Sequence, residues 1–128
     1  MDKDLEKEFV PYELALRLKE LGFDKNCLEY YDSETKYFCD IMKEVPAPLF
    51  SQVFRWFRDK YNLRGFIGFR PNVKKFDCHI YDMSLSGMEY VKQRTMEEFN
   101  KDPKVGTYEE AELACLNKLI KIVESKKE

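Results

Sequence analysis

A helix that lines one side with phenylalanine needs a broad apolar surface to lie on, and this chain contains such a helix near its centre. In PLFSQVFRWFRDKY, from Pro48 to Tyr61, the residues Phe50, Val53, Phe54, Phe57 and Tyr61 fall at i, i+3, i+4, i+7 and i+11. That spacing gathers five large groups into one stripe of an α-helix. Pro46 and Pro48 mark its start, because proline fits before a helix or in its first turn and not within it. Asn62 supplies a stop. Burying one such side chain is worth about 1.5–3 kcal/mol, so the stripe is expected to pack across a sheet.

The flanking elements follow from local patterns. Pro11 to Leu21 (PYELALRLKEL) is helical, with Leu14, Leu18 and Leu21 on one stripe. Gly22 suits the left-handed position past its end, and Phe23 is expected to fold back onto it. Cys27–Asp32 and Lys36–Met42 read as a hairpin around Asp32–Thr35. Tyr37, Cys39 and Ile41 are expected to face the helices, since the alternate set includes the carboxylate of Asp40. Lys43 to Pro48 is a proline-marked connection. Leu63–Arg70 and Lys75–Tyr81 form a second hairpin about Pro71–Lys74. In its second strand Phe76, Cys78 and Ile80 share one face, while Lys75, Asp77, His79 and Tyr81 share a wet one. Thr107-Tyr108-Glu109-Glu110 has the capping-box form. It opens a helix to about Ser125, with Leu113, Leu116, Ile120 and Val123 at helical spacing.

Residues 1–9 are a polar lead-in, frayed or a short helix. Residues 82–106 read as an irregular insertion, for which a loop, a strand around Glu89–Lys92 or a helix over Met88–Asn100 all fit. The order is α-ββ-α-ββ-α, an α+β fold. The simplest arrangement is one antiparallel sheet of about four strands, with helices packed on one face. At 128 residues the chain is expected to form a single α+β domain over 1–128.

Composition excludes several function classes. No apolar run approaches the roughly 18–20 residues of a membrane span, and the charged start has no signal-peptide stretch. A cytoplasmic protein without membrane partners is expected. Cys27, Cys39, Cys78 and Cys115 are scattered singly and there is one histidine, so neither a metal site nor a disulfide framework is expected. His79 is the one candidate for general acid–base work. Its neighbour Cys78 points to the opposite strand face, so the two form no nucleophile–base pair. The carboxylate pairs Glu97–Glu98 and Glu109–Glu110 read as solvated or dipole-facing groups. Gly65 and Gly68 lie within a strand, outside the strand–loop–helix context of a phosphate loop. No catalytic residue, cofactor or enzymatic activity is expected.

Charge is the most suggestive functional feature. The chain carries a net charge of −2, yet residues 51–75 hold seven basic side chains against Asp59 alone. Arg55 and Arg58 lie off the aromatic stripe of the central helix, and so does Trp56. An exposed tryptophan beside arginine has the composition of an interface hot spot. Arg64, Arg70, Lys74 and Lys75 belong to the hairpin that follows. Interleaved with Tyr61, Phe66 and Phe69, they are suited to stacking a base and holding phosphates. Arg55, Trp56, Arg58, Arg64 and Arg70 are therefore the candidate partner- or ligand-binding residues. The competing explanation is a solvated surface that balances the acidic first half.

The segments Glu8–Phe23 (EFVPYELALRLKELGF), Ala47–Leu63 (APLFSQVFRWFRDKYNL) and Thr107–Val123 (TYEEAELACLNKLIKIV) resemble a group of small uncharacterised proteins. That group is encoded by bacteriophages and integrated mobile elements of gut bacteria. The resemblance implies a context and assigns no residue a role. It suggests a small accessory protein in the host cytoplasm that inhibits or sequesters a host protein or a small anionic, nucleotide-like ligand. A homo-oligomer joined through Trp56 fits the same residues. The alternative is a nucleic-acid-binding module built on the basic segment with Tyr61 and Phe69.

Overall fold

The computed structural model describes residues 3–39, 44–72, 74–83, 89–90 and 107–126. The chain divides into two compact units, Met1–Val53 and Phe54–Glu128. Helix α3 (Phe50–Tyr61) begins in the first and ends in the second. Among the described residues, no helix is long and apolar enough to cross a membrane.

The first unit holds α1 (Lys3–Glu6), α2 (Tyr12–Glu20), β1 (Glu29–Tyr31), β2 (Phe38–Cys39) and β3 (Val45–Ala47). Helix α2 starts after Pro11 and stops as its sequence dictates. Gly22 takes φ 102°, its N–H donates to the Lys19 carbonyl at 3.0 Å, and the Phe23 N–H donates to the Leu18 carbonyl at 3.0 Å. These are the two bonds of a Schellman stop, and Phe23 is buried against the helix end. The lead-in takes the helical of its two expected forms, as α1, and is tied down where apolar residues begin. Phe9 and Val10 are buried, Phe9 bridges Leu49, and the Val10 N–H donates to the Pro48 carbonyl at 2.8 Å.

The strands of this unit run antiparallel in the order β2-β1-β3. Strand β3 replaces the expected connection: Tyr31 faces Val45 and Tyr30 faces Pro46. It is an edge strand, the place where a sheet tolerates a proline with no N–H to give. The hairpin face is reversed relative to expectation. Tyr37 is 77% exposed, while Phe38 stacks on Tyr31 at 5.0 Å and meets Phe9 edge-on at 5.1 Å. An aromatic ring with two aromatic neighbours outweighs the preference inferred from Asp40, which itself lies outside the described residues. Tyr31 is buried, and its hydroxyl donates to the Val10 carbonyl at 2.6 Å.

The second unit adds to the end of α3 the strands β4 (Leu63–Arg70), β5 (Lys75–Asp82) and β6 (Glu89–Tyr90) and the helix α4 (Tyr108–Lys126). Asn62, at φ 55°, ends α3 in the left-handed conformation and turns the chain into β4. Strands β4 and β5 pair from Leu63↔Asp82 to Arg70↔Lys75, leaving Pro71–Lys74 as the expected four-residue turn. Strand β6 pairs with the end of β5, giving the order β4-β5-β6. The rest of the expected 82–106 insertion after Met83, Glu97–Glu98 included, lies outside the described residues. The chain is thus α+β with antiparallel pairing throughout, its described strands sorted into two three-stranded sheets where a single sheet was expected.

Helix α4 packs on β4 and β5. The Thr107 hydroxyl accepts the Glu110 N–H at 3.2 Å and donates to the Glu110 carboxylate at 2.9 Å, so the capping residues act as a pair. Its buried arc includes Ala111, Cys115, Leu116, Leu119, Ile120 and Val123, while Leu113 is 39% exposed. The apolar stripe is therefore centred nearer Leu119 than the Leu113-to-Val123 spacing suggests. Gly65 accounts for this: a Cβ there would stand 3.0 Å from Cys115 Sγ and 3.0 Å from Leu119 Cδ1. The strand without a side chain is where the helix comes closest.

Candidate cation and ring face of the second sheet

Alternation along β4 and β5 gives this sheet two unlike faces. Leu63, Gly65, Cys78 and Ile80 are buried on the face that carries α4. The other face presents Arg64, Phe66, Gly68 and Arg70 from β4. Register places Tyr81, His79, Asp77 and Lys75 directly opposite them. Arg64, Phe66 and Arg70 thus each face a polar or ring side chain, while Asp77 faces the bare backbone of Gly68.

Three rings form a ladder at its centre. Phe66 stacks on His79 with centroids 5.0 Å apart and planes 17° apart, and on Tyr81 at 5.7 Å and 2°. Parallel rings touch at about 3.5–4.0 Å, so these centroid distances mean rings slid past each other. Neither neighbour covers Phe66 fully, and it remains 38% exposed. The guanidinium carbon of Arg64 lies 5.7 Å from the Phe66 centroid, within cation–π reach. Arg64 makes no ion pair among the described residues and is exposed.

Beside the ladder lies a buried carboxylate. Asp77 is 3% exposed. One of its oxygens is 2.9 Å from His79 Nε2, and the other is 3.9 Å from Arg70 Nε. Gly68 leaves the space for this pair: a Cβ there would stand 3.0 Å from His79 Nε2 and 3.1 Å from Asp77 Oδ1. A carboxylate withdrawn from water is costly unless it is paired and hydrogen-bonded. Here the two partners both come from the same sheet face. The result holds His79 in one orientation and anchors Arg70 at the far end of the row from Arg64.

The five residues singled out from sequence do not converge. Arg64 and Arg70 share the outer face. Arg55 and Arg58 belong to α3, which meets the sheet from the α4 side, with Phe54 Cε1 3.2 Å from a Cβ built on Gly65. Arg55 is exposed and pairs with Asp59 one turn on, at 3.6 Å, and Arg58 is half-buried. Trp56 is a correction. It is 4% exposed, against the expected exposed indole, with Lys60 Nζ 5.2 Å from its ring centroid. The buried arc of α3 is wider than the stripe, and Trp56 lies only roughly 60° beyond Val53 at 100° per residue. Self-association through an exposed Trp56 loses its basis. Residues that sequence reading passed over for the site are Asp77, His79, Tyr81 and Gly68. Their shared face was legible in the β5 alternation, and their partners follow from a four-residue turn at Pro71–Lys74.

The thiols take no part in this face. Cys78 and Cys115 are buried on the α4 side. A hydrogen bond given by the Cys115 thiol to Cys78, with burial and the carboxylate of Glu112 behind it, holds that thiol well above its ordinary range. Burial pushes Cys27 up to about 11. Thiols held protonated are poor nucleophiles. Among the described residues, no group of three His, Cys, Asp or Glu side chains is placed to hold a metal ion. What the outer face offers is flat ring surface, an oriented imidazole and two guanidiniums in a row. No protein-family model, curated protein or solved structure matches the chain.

Proposed function

We propose that this chain is a non-enzymatic binding protein. Its working surface is the outer face of β4 and β5, and its ligand is nucleotide-like: a flat ring joined to phosphate. The observation that carries the reading is the Tyr81–Phe66–His79 ladder flanked by Arg64 and Arg70 on one face. Rings supply sequence-tolerant stacking, worth about 1–3 kcal/mol per base. Arginine supplies the planar fork that matches phosphate oxygens. With the resemblance of its helices to phage-encoded proteins, the reading becomes sequestration of a nucleotide-type ligand in the host cytoplasm. Arg55 and Arg58 are then bystanders.

Titrating fluorescent nucleotides and oligonucleotides into the protein by anisotropy tests this. An Arg64→Ala/Phe66→Ala double variant should bind at least 10-fold more weakly, whereas Arg55→Ala/Arg58→Ala should change affinity less than 3-fold, as expected when about 1.4 kcal/mol separates the two. Equal losses in the two variants, or no binding by the wild type, would remove the assignment. A second reading, a host-protein partner, is favoured by the exposed end of the core. There Phe69 (53% exposed) packs on Phe76, and Phe76 on Tyr108 (46% exposed). Loss of a captured partner on Phe69→Ser, with no change in nucleotide binding, would support it.

A further inference from the structure

The two arginines of the outer face root at opposite ends of one strand, and their side chains lean toward its middle, Arg64 over Phe66 and Arg70 toward Asp77. Arg64 and Arg70 sit at opposite ends of β4, on the same face. Six residues of strand at about 3.4 Å each put roughly 20 Å between their backbones. Arg70 is turned inward toward Asp77, with Nε 3.9 Å from its carboxylate. Arg64 lies over Phe66. Each is tethered at its own end of the row. Between them stands the ring ladder, with Lys75 opposite Arg70 as a further cation. Asp77 is the only carboxylate among these eight residues of the two strands' shared face, and it is buried under His79 and Arg70. The surface is a strip: cation, rings, cation.

A nucleic acid strand has the same periodic make-up. Stacked, it carries one phosphate per roughly 3.4 Å of its axis. With bases drawn apart to admit protein rings, the spacing roughly doubles. With the guanidiniums inside the roughly 20 Å backbone span, the strip then matches about two to three nucleotides. A mononucleotide keeps its phosphates together and so engages one end of the strip. Duplex bases are stacked inside the helix and give the ladder nothing to stack on.

Resting on the nucleotide-binding reading above, we infer that the outer face of β4 and β5 takes a short single-stranded nucleic acid of about two to three nucleotides laid along the strand. Arg64 and Arg70 hold phosphates at the two ends, and the Tyr81–Phe66–His79 ladder takes the bases between them.

The test is a length series on the full chain: 5′-fluorescein-labelled oligo(U) of one, two, three, six and twelve nucleotides, with a twelve-base-pair duplex beside it. Affinity should rise at least 10-fold between one and three nucleotides and level off beyond six. The duplex should bind at least 10-fold more weakly than the twelve-nucleotide strand. For that strand, log affinity against log salt should fall with a slope near −1.4, from two neutralised phosphates at about −0.7 each. Arg64→Gln should bring the slope toward −0.7, and Arg70→Gln should do the same without requiring that the two variants be equally stable. A mononucleotide that binds as tightly as the hexamer, or a duplex that matches the single strand, would overturn this inference and leave the nucleotide reading standing. Failure of every length to bind would overturn both.

Discussion

The two faces of the β4–β5 hairpin come from the same sixteen residues and obey opposite rules. On the inner face Leu63, Gly65, Cys78 and Ile80 are buried beneath α4. Each contributes shape and apolar area, and none carries a charge. On the outer face Arg70, Asp77, His79 and Tyr81 are partly or wholly withdrawn from water while carrying ionisable or hydrogen-bonding groups, beside the exposed Arg64 and Phe66. Folding alone gives no reason to place a carboxylate at 3% exposure beside an imidazole and a guanidinium. Replacing such groups with apolar ones of similar shape is often neutral or stabilising. The inner face is explained by stability. The proposed binding role is what would account for the outer face.

The largest test of that division is Ile80→Ala. Ile80 is 1% exposed on the inner face, and truncating a buried isoleucine costs about 2–5 kcal/mol through lost transfer energy and an unfilled cavity. Urea denaturation should show that loss as a lower midpoint with an unchanged slope. Nucleotide affinity of the folded fraction should stay within 3-fold of wild type. A cost below about 1 kcal/mol would mean that the inner face is not the core.

Gly65→Ala comes next. Its new methyl would meet Cys115 Sγ and Leu119 Cδ1 at 3.0 Å and Phe54 Cε1 at 3.2 Å. Three buried side chains from two helices would each have to give by a few tenths of an ångström, and overpacking of this kind costs about 1–3 kcal/mol. The same urea experiment reads it. A neutral result would show that α4 can shift on the sheet, and would weaken the claim that Gly65 sets where the helix lies.

How much of this was legible beforehand depended on whether the signal was local. Gly22 and Thr107 end or begin a helix through bonds to residues within five positions, and Asn62 ends one through its own left-handed backbone, so their roles can be read from a few letters. The β4–β5 register is nearly as local, because the Pro71–Lys74 turn fixes it. Strand β3 was hidden by Pro46, since its strand character exists only through pairing with β1. Phe38 reads to the wrong face because Phe9, one of the two rings it packs on, comes from a distant segment, while Tyr31 is its neighbour across the hairpin. Trp56 was read as exposed because a stripe marks the centre of a buried arc and not its edges. The basic segment was visible as charge, but charge counts carry no direction. They could not show that Arg64 and Arg70 stand on one face while Arg55 and Arg58 ride on a helix on the sheet's other side.

Gly68→Ala has the smallest expected effect on stability and separates the two faces most cleanly. It lies three residues beyond Gly65 on the opposite face, and its added methyl would also be too close: 3.0 Å from His79 Nε2 and 3.1 Å from Asp77 Oδ1. Unlike the inner neighbours, the imidazole is the far end of a side chain that can rotate. The strain is relieved by giving up the 2.9 Å His79–Asp77 bond. Losing that bond costs about 1.5–3 kcal/mol, because its acceptor is a buried carboxylate, and replacing a glycine within a strand regains roughly 0.5–1 kcal/mol. Net stability should therefore fall by about 0.5–2.5 kcal/mol. The imidazole should also move. His79 is the only histidine in the chain, so its ring signals in a two-dimensional NMR spectrum are unambiguous, and they should shift in Gly68→Ala while staying fixed in Gly65→Ala. If the ligand face works as argued, Gly68→Ala should weaken oligonucleotide binding by the folded fraction about 10-fold, since about 1.4 kcal/mol is one decade of affinity. An unchanged imidazole spectrum with unchanged binding would mean that the Asp77–His79 pair does not shape the surface, and that the glycine opposite it is incidental.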